Sequence, residues 1–111
     1  MKCYDPSSVA AAAVAPRQPR PATALMHDAP AVRMVIFRIE PGQQVAPHTS
    51  PSTVVLSVVS GSGVVLAGDG ERAVRAGEIV VYEPGELHGM RALDEQLVIA
   101  AIIAPRPGAA G

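Results

Sequence analysis

Hydrophobic and polar positions through the middle of this chain follow no helical period. Short apolar, β-branched runs alternate instead with glycine, proline and aspartate. Ala22–Met26, Val32–Glu40, Thr53–Val59, Gly63–Ala67, Arg72–Arg75, Glu78–Tyr82, Leu87–Arg91 and Gln96–Ile103 are therefore predicted strands. Pro41-Gly42, Gly61-Ser62-Gly63, Gly68-Asp69-Gly70, Gly77, Pro84-Gly85 and Leu93-Asp94 separate them, and Gly68-Asp69-Gly70 is the clearest hairpin signal. Short strands at this spacing predict an all-β sandwich or barrel.

Two of the runs, Val54–Val59 and Leu97–Ile103, are apolar on both faces. A strand with one solvated face alternates apolar with polar, so the second face needs a cover: the other sheet's edge, the N-terminal segment or another subunit. A homodimer is the preferred expectation. Arg33, Arg38 and Glu40 alternate with apolar neighbours, as on an edge strand whose charges block unwanted pairing. An inward Arg38 could instead bind a carboxylate.

The ends differ in composition. Residues 1–21 are rich in Ala, Pro and Arg, and Pro16, Pro19 and Pro21 allow no helix to continue through them. A flexible arm (1–21), a barrel (22–104) and a flexible Pro/Gly/Ala tail (105–111) are expected, with residues 1–15 removable at little loss of stability.

At 111 residues the chain fits one domain. Nine basic against ten acidic residues, net charge −1, leave no electrostatic footprint for nucleic acid or an anionic membrane. Small-molecule or protein partners are expected. Val9–Ala15 is too short and weakly apolar for a signal peptide or membrane span, so a cytoplasmic protein is the default. The one cysteine, Cys3, excludes an intramolecular disulfide. One Phe, two Tyr and no Trp make a stacking platform for bases or sugars improbable, and neither a phosphate-binding glycine loop leading into a helix nor a nucleophile elbow is present.

The candidate chemistry lies in two histidines. His48 follows Gly42-Gln-Gln-Val-Ala-Pro and precedes Thr-Ser50-Pro-Ser-Thr-Val54; His88 closes Gly77-Glu-Ile-Val-Val-Tyr-Glu-Pro84-Gly85-Glu-Leu. Together with Pro41-Gly42 and Ser60-Gly61, these frames resemble the two motifs of the cupin superfamily (RmlC-like, cupin type 2) across about residues 32–104. The resemblance implies a double-stranded β-helix, or jelly-roll, barrel that holds a metal ion or ligand in its mouth. It also implies His, His and Glu at positions 48, 50 and 54 and a third His at 88. Here Ser50 and Val54 replace two of the four. On an extended strand, positions 48, 50 and 54 would share one face.

His48 and His88 are thus expected metal ligands, with Glu86, two residues before His88, as the candidate third. Ser50 is a poor ligand, and Met90 suits only a soft ion. Ser50, Val54, Leu56, Tyr82 and Met90 are expected to line the pocket. The expected function is weak binding of a divalent metal (Zn, Ni, Mn or Fe), a small ligand, or both, since two imidazoles fall short of the usual three or four protein ligands. A metal-free small-molecule or sensor module is one alternative, and a vestigial pocket on a structural protein another. Catalytic residues are not assigned, and His27 is expected on the surface or in a turn.

Overall fold

The apolar runs pair into antiparallel ladders, as their alternation requires. The computed structural model describes residues 1–108. It contains one short helix, α1 (Pro6–Ala12), and strands β1 (Ala22–Ala29), β2 (Val32–Ile39), β3 (Gln44–His48), β4 (Thr53–Ser60), β5 (Ser62–Ala67), β6 (Gly70–Arg75), β7 (Ile79–Tyr82), β8 (His88–Ala92) and β9 (Leu97–Ala104). A five-stranded sheet in the order β1-β2-β9-β4-β7 faces a four-stranded sheet in the order β3-β8-β5-β6. The chain is therefore the double-stranded β-helix of the expected jelly-roll class.

β3 is the strand that the sequence reading did not predict. Pro47 interrupts it, and proline within a run argues against a strand. β3 lies at the edge of its sheet, where the missing N–H costs no ladder bond.

The common-face argument for positions 48, 50 and 54 does not hold. β3 ends at His48 in one sheet and β4 begins at Thr53 in the other, so no continuous strand joins them. A turn through Ser50-Pro51-Ser52 carries the chain across. The amide of Ser52 donates to Ser50 Oγ at 3.1 Å, and Ser52 Oγ donates to the carbonyl of Pro105 at 2.6 Å.

Alternation sorts the apolar residues into two layers. Val54, Leu56 and Val58 of β4 and Leu97, Ile99 and Ala101 of β9 point inward against Val65 and Met90 of the facing sheet. Ile36, Val98 and Ala100 face outward and form a second cluster with Met26 and Ala10 of α1. The doubly apolar character of β9 is thereby explained, because part of the expected arm covers it.

α1 starts where Asp5 caps the amides of Ser7 and Ser8 at 3.1 and 3.4 Å, with Pro6 at its first position. Seven residues are too few for an independent helix, so tertiary contact must hold it. Ala10 is buried against the sheet, and Arg38 Nη1 donates to the carbonyls of Ala10 at 2.6 Å and Ala13 at 3.1 Å. Arg38 thus serves the outer face, not the barrel interior.

α1 leaves part of that face open. Ile79 and Val81 of β7 are 64% and 55% exposed, beside half-buried Val55. At the C-terminus the amide of Arg106 donates to the carbonyl of Pro30, and its guanidinium pairs with Asp28. The last part of the expected tail, residues 109–111, lies outside the described residues. No helix among the described residues is long and apolar enough to cross a membrane.

Candidate functional site

β3 and β8 build the site by pairing. After a bulge between Val45 and His48, the register sets His48 directly opposite His88. Gly89 permits this approach: a Cβ there would lie 2.9 Å from the carbonyl oxygen of Val45 and 3.2 Å from Cα of Pro47, both backbone atoms of β3. Glycine inside a strand marks such a close approach. It is the site residue that the sequence reading passed over, although its place between His88 and Met90 was the available signal.

The two imidazoles stand with ring centroids 4.2 Å apart, inclined at 62°. Each is oriented by a backbone carbonyl two residues earlier, His48 Nδ1 by Ala46 O at 2.9 Å and His88 Nδ1 by Glu86 O at 3.2 Å. A carbonyl only accepts, so each ring, in its neutral form, carries its proton on Nδ1 and keeps the Nε2 lone pair free. His48 is exposed and His88 is 4% exposed. Burial lowers the pKa of His88, the Glu86 carbonyl opposes that shift, and charge on His48 lowers it further. His88 is accordingly neutral at neutral pH.

Tyr82 forms a wall. Its ring centroid lies 5.2 Å from that of His88, and its hydroxyl donates to the carbonyl of Leu66 at 2.8 Å. Burial, and then the negative charge of Glu86, push its pKa up, so it remains a neutral phenol. Val54 stands opposite Tyr82 in the β4–β7 ladder, and Val54, Leu56 and Met90 are buried in the inner core.

The other expected ligands do not join the imidazoles. Glu86 turns its carboxylate back to accept from the amide of Glu83 at 2.9 Å and contributes its carbonyl instead. Ser50 Oγ is engaged with the amide of Ser52. No cluster of three His, Cys, Asp or Glu side chains suited to a metal occurs among the described residues. His27 lies on β1, in the other sheet, where its Nδ1 is 2.8 Å from the hydroxyl of Tyr4.

A match to the cupin domain spans residues 35–103. The chain belongs to the cupin family. No curated protein is similar to this cupin in sequence. Among solved structures it is similar to an uncharacterized conserved protein with a double-stranded β-helix domain from Klebsiella pneumoniae, at 24% identity and TM-score 0.81, covering 95% of this chain and 90% of that one. The TT1209 protein of Thermus thermophilus shares 23% identity at TM-score 0.83, over 96% and 100% of the two chains. An RmlC-like cupin from Desulfovibrio desulfuricans shares 25% identity at TM-score 0.72, over 78% and 83%.

The donor set has the right chemistry for a metal and falls short in number. Two imidazoles held by second partners and presenting Nε2 are the usual form of histidine ligation. Two ligands leave most of the coordination shell to water or a bound molecule.

Proposed function

We propose that His48 and His88 bind a divalent transition-metal ion weakly and reversibly, and that a small ligand completes its shell. The observation that carries this reading is the anchoring of both Nδ1 atoms to carbonyl oxygens, which leaves two Nε2 lone pairs on rings 4.2 Å apart. When bound, such an ion would supply Lewis acidity at its open positions. The chain's own residues orient the imidazoles, keep His88 neutral and shield one side with Tyr82.

The engagement of Glu86 with Glu83 supports a second reading. With no carboxylate side chain bonded to them, the two imidazoles can hydrogen-bond a small molecule without any metal.

One experiment separates the two. Zn, Ni, Mn and Fe(II) are added to the protein, to His48→Ala and to His88→Ala, while metal content and melting temperature are measured. Stabilisation of the wild type that disappears in both variants supports the metal site. No bound metal and no thermal shift would refute it, leaving the metal-free pocket or a vestigial one.

We further propose that a second copy of the chain covers the open outer face at Ile79, Val81 and Val55, because these apolar side chains continue the face that α1 covers only in part.

A further inference from the structure

Beyond α1 the arm runs through Pro16, Pro19 and Pro21, which restrict the backbone and make the segment a stiff wall. That wall roofs a cleft of about 490 Å³ between the β1–β2 edge of one sheet and β3 of the other. Val14, Pro16, Arg20 and Pro21 of the arm line one side. Phe37, the chain's one phenylalanine, and Val45 supply the apolar floor, each half-buried and packed against the inner core. Thr23 and Gln44 add neutral hydrogen-bonding groups at the rim.

Neither histidine of the candidate centre lines this cleft. Its one charged lining residue is Arg20, which makes no ion pair with an acidic side chain among the described residues. A hydrogen bond of 2.7 Å from its amide to the carbonyl of Gln18 sets the local turn of the arm. Concave volume, apolar lining and a single charged residue are the usual recipe for a small-molecule site.

We infer that this cleft binds a small amphipathic carboxylate, whose apolar body lies on Phe37 and Val45 under Pro16 and Pro21 and whose carboxylate meets Arg20. A guanidinium is suited to that pairing, because its N–H groups match carboxylate geometry. The site is independent of the imidazole pair, and it gives the proline-rich arm a role in binding as well as in cover.

The test is an NMR titration of ¹⁵N-labelled full-length protein with 2-naphthoate and, separately, with 2-naphthamide. Expected are shifts at the amides of Thr23, Phe37, Gln44 and Val45, and a preference for the acid of about fivefold, the modest advantage of a charge-assisted hydrogen bond at an exposed site. Arg20→Gln should abolish that preference, whereas Arg17→Gln, at a neighbouring cation outside the cleft, should preserve it. Equal affinity for acid and amide would overturn the inference. So would shifts centred on His48 and His88, a preference that survives Arg20→Gln, or no shift from either probe.

Discussion

Replacing Gly89 with alanine tests whether one backbone approach builds the site. The φ of Gly89 lies outside the left-handed region, so the local backbone accepts a side chain and the cost must come from contact. The added Cβ would meet the Val45 carbonyl oxygen at 2.9 Å, Leu66 Cδ1 at 3.1 Å and Pro47 Cα at 3.2 Å. Leu66 can rotate away, whereas the other two atoms move only if β3 moves. Overpacking of this kind costs about 1–3 kcal/mol, and the lower entropy of the unfolded alanine chain offsets about 0.4–1 kcal/mol of it. A net loss of about 1–2 kcal/mol should lower the melting temperature by roughly 5–10 °C in a domain of this size. Gly68→Ala is the control, since a Cβ there meets nothing within 4 Å. The site should respond as well. Displacing β3 relieves the burial and the His48 charge that depress His88, so its imidazole pKa, followed by NMR across pH, should rise toward the ordinary value of 6.5. If Gly89→Ala melts with Gly68→Ala and His88 titrates as in the parent, close strand approach does not build this site.

Removing residues 1–15 uncovers Ile36, Val98 and Ala100, which α1 helps to bury. The expected loss is on the order of 2 kcal/mol, read as a lower urea midpoint, against the small cost that sequence composition implies. Light scattering on the full chain in the same experiment reads the proposed dimer, and a mass of 11.4 kDa would exclude it. The depressed pKa of His88 fixes the sign of a pH effect: between its folded value and 6.5 the unfolded chain binds the extra proton. Stability should therefore fall as pH drops through 6.5 and level off below the folded value. His88→Gln should flatten that part of the urea-midpoint profile, and an unchanged profile would contradict the assignment of His88 as a buried neutral ring.

Where alternation decides the outcome, the fold was legible in the sequence. Val54, Leu56 and Val58 point inward because they are two residues apart on an extended chain, and no later contact reverses that. β3 was hidden because its proline is acceptable only at a sheet edge, and edge position is a property of the whole sheet. α1 was hidden for a related reason. Its start signals, Asp5 and Pro6, are present, but seven residues become a helix only against an apolar surface formed by strands far along the chain. The histidine pair was readable from its frames. The direction of Glu86 was not, because the two-residue spacing that would align it with His88 applies only within a strand. β8 begins at His88, leaving Glu86 in the turn, where the Glu83 amide captures its carboxylate. Ser50 departs for the same reason, one turn after β3 ends.

Position 54 connects the fold to the proposed chemistry. Its side chain is 3% exposed, between Tyr82 on one neighbouring strand and Ile103 on the other. An ionised carboxylate buried there would carry a large desolvation cost unless a cation stood beside it. Glutamate at this position would make stability depend on the metal. Valine removes that dependence, since it packs with Leu56 and Met90 whether or not an ion is present. It also removes a negative charge that would help to hold an ion, so that at the proposed site the two imidazoles would have to do so. The valine that makes the inner core self-sufficient is thus the residue that, at the proposed metal site, would leave an ion to the imidazoles alone, and such an ion would depend on an added ligand for much of its affinity.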